Sequence, residues 1–205
     1  MGLIWCLHGF LGRPSDWDLL PFPHRAVDLF RGERIAPAPD DSLIGYSMGG
    51  RLALDVLAMT RVRRAVIVSA GLNQPDPERL KRDLTWARRF ESEPWAGLMS
   101  AWNAQPVFAS HSVPRQESDY DRHALARALR EWSSAVLPPP PLETIETPLL
   151  WIAGERDTRY VEVARQAVAR LPDAQLWVCP GAGHRVPWEQ PEAFIARLRE
   201  FLDLH

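Results

Sequence analysis

Short apolar runs alternate with stretches of helical periodicity along the chain. That is the pattern of a parallel sheet whose strands are buried on both faces and joined by crossover helices. The runs predict strands at Leu3–Leu7, Ala26–Leu29, Ser42–Ile44, Ala65–Val68, Leu149–Ala153 and Leu176–Val178. A helix is expected to follow Ser47 and run to about Met59, and another to span roughly Val161–Leu171 until Pro172 stops it. The last begins near Pro191, a favourable first-turn residue, and carries Phe194, Ile195, Leu198, Phe201 and Leu202 at helical spacing.

The pattern changes between Gly71 and Pro148, a stretch far longer than one crossover needs. It reads as helices at about Pro77–Glu91, Trp95–Ala104 and Ser118–Leu137, after which Pro138–Pro141 return the chain to the sheet. Residues 1–70 and 149–205 are therefore expected to form the α/β core, and 71–148 a helical insertion above the strand ends, placed to cover a pocket. The competing arrangement is a helical hairpin docked at the side.

Composition narrows the class without naming it. With 205 residues, 46% apolar and 24% charged, the chain suits one globular domain with a substantial core and not a disordered segment. A formal charge of -2 gives no reason to expect nucleic acid or an anionic membrane as partner. Lys81 is the only lysine, so nearly every cation is an arginine, the better side chain for gripping a carboxylate in a fork. Cys6 and Cys179 lie in apolar runs and read as buried free thiols of a reducing compartment. With no basic leader before Leu3–Leu7 and no long apolar span, a cytoplasmic protein, monomeric or a weak homodimer, is expected.

The sharpest chemical signal is Gly45-Tyr46-Ser47-Met48-Gly49-Gly50, between a strand pattern and a helix pattern. A serine on such a turn is lifted clear at a helix N-terminus, where negative charge is favoured, and glycine lets strand and helix pack around it. A serine nucleophile or base needs a histidine and an orienting acid, which in this strand–turn–helix arrangement follow in the order Ser, Asp or Glu, His. Asp157 ends the loop after one predicted strand, with Glu155 as the competing acid, and His184 follows another strand in Pro180-Gly181-Ala182-Gly183-His184. Taken singly, Asp157 reads as a helix cap and His184 as a loop histidine; their order at successive strand ends makes Ser47, Asp157 and His184 the expected triad. The oxyanion-hole donors are expected to be the backbone N–H groups of Met48 and of Phe10, in His8-Gly9-Phe10.

Arg51 lies one helical turn after Ser47, on the same face. A cation in a helix's first turn opposes the macrodipole at a cost of roughly 0.3–1 kcal/mol, a placement that makes sense beside a bound anion or beside a protein acid.

These residues resemble the α/β-hydrolase superfamily, at both ends of the chain: His8-Gly9-Phe10, Gly45 to Gly50, Gly154 to Asp157, and Gly183-His184. The insertion narrows the resemblance. Arg79, Asp83, Trp86-Ala87, Phe90, Glu93-Pro94, Trp102 and Gln105-Pro106-Val107-Phe108-Ala109-Ser110 look like the cap of the 2-succinyl-6-hydroxy-2,4-cyclohexadiene-1-carboxylate synthases of menaquinone biosynthesis, in a truncated form. The resemblance implies an α/β-hydrolase fold, a mostly parallel doubly wound sheet of about six strands with a helical cap. It also implies a lyase that eliminates pyruvate from a cyclohexene tricarboxylate without metal or cofactor.

Carried over residue by residue, it makes Arg79 a second carboxylate ligand after Arg51, Trp102 a pocket wall and Tyr46 a neighbour of the nucleophile. It places a third arginine within residues 118–137, where the spacing leaves Arg127 and Arg130 both open and Arg130 is preferred. Departures from the family pattern are a leading hairpin that is missing, a loop reduced to Asp28-Leu29-Phe30, a proline-rich Glu33–Asp41 and a shortened segment after Ser110. Two other readings stand beside the lyase. A carboxylic-ester or thioester hydrolase would work through an acyl-serine and keep its pocket open to water. A non-catalytic binding protein would have no need of an activated serine.

Overall fold

The computed structural model describes residues 2–108 and 111–204, so the readings that fall on Ala109, Ser110 and His205 lie outside the described residues. Six strands form one sheet: β1 (Ile4–Leu7), β2 (Arg25–Val27), β3 (Ser42–Tyr46), β4 (Arg64–Val68), β5 (Leu149–Gly154) and β6 (Ala174–Cys179). Their spatial order is β2-β1-β3-β4-β5-β6, and every pairing is parallel. The chain steps outward from β1 in one direction to β2 and in the other from β3 onward. The β1/β3 boundary is therefore the topological switch point, and a crevice opens at the carboxyl ends of these strands.

Strand side chains alternate between two buried layers, as a period of two requires. On β5, Leu149, Trp151 and Ala153 join Leu54 and Leu57 of α1 (Met48–Leu57) and Ala164 and Ala167 of the helix between β5 and β6 on one face. Leu150 and Ile152 point the other way, onto Phe194, Leu198 and Phe201 of the C-terminal helix. Cys6 and Cys179 are buried and free.

Between β4 and β5 the chain forms α2 (Pro77–Ser92), α3 (Trp95–Asn103) and α4 (Arg122–Glu131), with short 3-10 turns at Pro106–Phe108 and Glu117–Asp119. Pro77 follows Asp76, whose carboxylate accepts from the Arg79 N–H, so α2 starts on a proper cap. These helices enclose a third cluster around Phe90, Leu98, Trp102, Leu125 and Leu129.

The third insertion helix is shorter than the Ser118–Leu137 expected. Asp121 caps its start by accepting from the N–H groups of His123 and Ala124. At the other end the Trp132 carbonyl is taken by Arg51 and the Ser133 hydroxyl by Asp83, so tertiary partners stop the helix well before the prolines. After β5 come α5 (Thr158–Val168), α6 (Val186–Glu189) and α7 (Pro191–Leu202). No described helix is long and apolar enough to cross a membrane.

Candidate active site

Ser47 occupies the sharp turn from β3 into α1 with φ 52° and ψ −110°, a left-handed backbone that a serine adopts only under strain. The surroundings hold it there. The Ser47 N–H donates to the Val68 carbonyl at 2.8 Å. A Cβ at Gly45 would lie 2.5 Å from the Gly49 carbonyl oxygen, and one at Gly49 2.4 Å from that of Leu7. Only glycine lets β3, α1 and the end of β1 meet this closely.

His184 is buried and bridges the other two polar groups. Its Nδ1 is 2.7 Å from Asp157 Oδ2, and its Nε2 is 3.1 Å from Ser47 Oγ. With Asp157 ionised, Nδ1 carries the proton and donates, which leaves Nε2 to accept from the Ser47 hydroxyl. Asp157 stands at the N-cap position of α5, yet its side chain makes no cap bond and turns instead to His184. The competing acid, Glu155, is exposed and accepts from the Gly181 N–H at 2.9 Å.

The histidine loop is braced by a residue that the motif reading does not single out. Glu189 on α6 accepts from the N–H groups on either side of His184, from Gly183 at 2.7 Å and from Arg185 at 2.9 Å. A Cβ on Gly154 would come within 1.9 Å of the Gly183 carbonyl oxygen, so the acid and histidine loops abut directly. An acidic residue shortly after the G-x-G-H run is the only local signal of this clamp.

The Phe10 and Met48 N–H groups have no acceptor among the described residues. Phe10 sits in a turn closed by the Gly12 N–H on the Gly9 carbonyl at 2.9 Å. His8 anchors that turn: Nδ1 donates to the Gly9 carbonyl at 2.8 Å, and Nε2 accepts from the Leu29 N–H at 3.1 Å. Burial holds the His8 pKa below its ordinary value.

Ser47, Phe10, Met48, Asp157 and His184 all line one cavity of about 620 Å³, ample for a substituted six-membered ring. Arg51 and Arg79 line it as well. Arg51 is buried and donates to Asn73 Oδ1 at 3.0 Å and to the Trp132 carbonyl at 2.8 Å, both uncharged acceptors. Burial, and then the like charge of Arg79, lower its pKa to about 10, which leaves it a cation at neutral pH with no carboxylate bonded to it. Arg79 presents its Nε to both oxygens of buried Asp83 at 2.9 Å; burial opposes its charge, but Asp83 prevails and raises its pKa. Trp102 forms an aromatic wall with Phe10 and Trp86, each 4.9 Å away between ring centroids.

Two expected ligands lie elsewhere. Arg130 is not in the cavity. It makes a two-pronged pair with Glu91 at 2.7 Å, because the inward face of α4 is Ala124, Leu125, Ala128 and Leu129, and the next position turns toward α2. Arg127, the alternative, is exposed. Tyr46 is buried behind Ser47 and lines a separate recess of about 40 Å³, its ring 5.0 Å from Trp188. Burial raises its pKa, against the pull of Arg185, which bonds its hydroxyl. Among the described residues there is no cluster of three or more His, Cys, Asp or Glu able to hold a metal.

Residues 3–197 match the alpha/beta hydrolase family. A 2-succinyl-6-hydroxy-2,4-cyclohexadiene-1-carboxylate synthase from Serratia proteamaculans is 32% identical, over 98% of this chain and 92% of that protein. The solved structure of MenH from S. aureus superposes with a TM-score of 0.86 at 22% identity, covering 98% of this chain and 93% of the other. A hydrolase from Pseudomonas aeruginosa reaches 0.74 at 19% identity, over 98% and 89% of the two chains. At such identities the solved structures speak for the fold alone.

Proposed function

This chain belongs to the alpha/beta hydrolase family and to its branch of 2-succinyl-6-hydroxy-2,4-cyclohexadiene-1-carboxylate synthases, and from that premise we propose that it is a carbon–oxygen lyase of menaquinone biosynthesis. It eliminates pyruvate from a cyclohexene tricarboxylate. Ser47, His184 and Asp157 act as the base. His184 Nε2 draws the Ser47 proton, and the serine oxygen takes a ring C–H proton. The electron pair released forms the new ring double bond as the C–O bond to the enolpyruvyl group breaks, and the departing enolate is protonated to pyruvate. Asp157 fixes the tautomer and stabilises the transient imidazolium. The Phe10 and Met48 N–H groups form the oxyanion hole for charge that spreads onto a conjugated carbonyl.

The observation that carries this reading is the company the serine keeps. Arg51 and Arg79 are among the arginines that share its cavity, and Arg51 is bonded only to neutral acceptors. A buried cation without a bonded carboxylate suits an anionic substrate better than a neutral ester. Arg51 and Arg79 are assigned to substrate carboxylates and Trp102 to the ring, while the helices of residues 71–148 act as the cap. Tyr46 supports the elbow from behind.

The test is pyruvate release from the cyclohexene tricarboxylate by wild type and Ser47→Ala, read through a coupled dehydrogenase. Wild type is expected to turn over rapidly and the variant to lose about 10²–10⁴-fold in kcat, the range for removal of a positioned base. A folded wild type that releases no pyruvate would overturn the lyase assignment.

A further inference from the structure

The cap helix does not give the cavity the third cation that a tricarboxylate calls for. Helix α4 supplies Ala128 and Leu129 to its wall but no arginine, since Arg127 is exposed and Arg130 is held by Glu91. Three further arginines nevertheless line the same cavity: Arg82 on α2, Arg156 after β5 and Arg159 in the first turn of α5. All three are exposed, and none has a carboxylate partner among the described residues, although most arginines of this chain sit in ion pairs. The aspartates of the cavity are already engaged. Asp76 caps α2, Asp83 holds Arg79 and Ser133, and Asp157 holds His184.

Arg156 and Arg159 differ from Arg82 in how firmly they are placed relative to the reacting atoms. They flank Asp157, whose carboxylate is bonded to His184. The Arg156 N–H donates to the Ala182 carbonyl at 2.8 Å, and the Asp157 N–H to Gly154 at 3.0 Å. With the Glu155 N–H donating to the Cys179 carbonyl at 3.0 Å as well, the backbone carrying both arginines is tied to the end of β6 and to the histidine loop, whereas Arg82 rides on the insertion. We propose that Arg156 and Arg159 together clamp the third substrate carboxylate at the mouth of the cavity, in the role the cap helix does not fill. The identity of that carboxylate rests on the lyase reading. The anion site itself does not.

The probe is propane-1,2,3-tricarboxylate, titrated by calorimetry into wild type, the double variant Arg156→Gln/Arg159→Gln, and Arg130→Gln, with glutarate as the dicarboxylate control. The double variant is expected to bind the tricarboxylate about 10- to 100-fold more weakly, the range for a lost charge-assisted contact, and glutarate within threefold of wild type. Arg130→Gln should bind both as wild type does. On the cyclohexene substrate the double variant should raise KM with kcat nearly unchanged, because the contact is equal in ground and transition states. Both arginines are exposed and unpaired, so an unchanged melting temperature is expected.

Equal weakening for the two anions, no weakening, an equal loss in Arg130→Gln, or no tricarboxylate binding by wild type would each overturn the clamp. Selective tricarboxylate binding by a wild type that releases no pyruvate would sink the lyase reading and leave the clamp standing. Pyruvate release with wild-type KM and affinity in the double variant would do the reverse.

Discussion

The two halves of the cavity are held by different forces. On the sheet side, backbone geometry fixes the reacting groups: Ser47 on a strained turn, glycines where no Cβ fits, and side chains bonded to one another at 2.7 and 3.1 Å. On the insertion side, placement comes from packing. Phe90 and Trp102 lie 5.6 Å apart between centroids within a cluster of inclined rings, which is mostly non-directional attraction. Chemistry that tolerates little displacement sits on the constrained side, and recognition sits where packing can be re-cut by substitution. Polar ties that join the halves around the cavity include Arg51 to Asn73 and to the Trp132 carbonyl, Arg115 to Asp16 at 2.6 and 2.7 Å, Arg13 to Asp119, Arg185 to the His111 carbonyl, and the Tyr120 hydroxyl to the Leu11 carbonyl at 2.8 Å.

If packing alone holds the insertion, emptying its centre should loosen it without loosening the sheet. Phe90 is fully buried, and Phe90→Ala is expected to cost about 3–5 kcal/mol. Hydrogen exchange should then rise in α2 and α4 while β3 and β4 keep their protection. Uniform loss of protection across both halves would mean that they form one cooperative unit.

Arg51 probes the tie between the halves. Removing it takes a cation from the cavity and leaves Asn73 and the Trp132 carbonyl short of a donor. Arg51→Ala should lower kcat/KM on the tricarboxylate by about 2–4 kcal/mol in barrier terms, with little change in hydrolysis of a small neutral ester. Equal losses on both substrates would make Arg51 a brace and not a ligand.

The same division explains what could be read from the sequence. Tight backbone approach demands glycine, so the elbow around Ser47 and the abutting loops of Asp157 and His184 leave marks in the residue string, and the buried central strands leave apolar runs. The insertion writes less. Its last helix stops where Arg51 and Asp83 capture Trp132 and Ser133, partners distant in sequence. Arg130 lies outside the cavity because one position after Leu129 is a turn of about 100° around the helix, enough to move a side chain from the cavity to Glu91. With Leu125, Ala128 and Leu129 on the inward face, Arg130 falls outside it. Nothing local betrays Asn73 as a brace, and only its nearness to the G-x-G-H run points to Glu189, since each is defined by a loop it meets in the fold.

The smallest expected effect tests the sheet half through His8. Its neutral ring links the Phe10 turn to the exit of β2, with Nδ1 donating and Nε2 accepting, an arrangement that protonation would break. Burial holds its pKa below 6.5 in the fold, so on acidification the unfolded chain takes up the proton first. Stability from this group is complete above pH 6.5 and declines as pH falls below it, because the unfolded state then binds more protons than the native one. His111 is shifted the same way by burial and Arg185, but it is present in both proteins of a comparison. The carboxylates with lowered values, Asp41, Glu91, Glu93 and Glu143, lose their contribution only below their ordinary values of 3.8 to 4.5, as pH falls through their lowered values in the fold. Urea unfolding of wild type and His8→Gln at pH 7.5 and 5.5 therefore isolates the histidine. The wild type should lose more stability than the variant over that interval, and amide exchange at Phe10 should rise with it. An identical loss in both proteins would show that the turn is held by its own backbone, and that the sheet half relies on glycine geometry more completely than the bonds of His8 suggest.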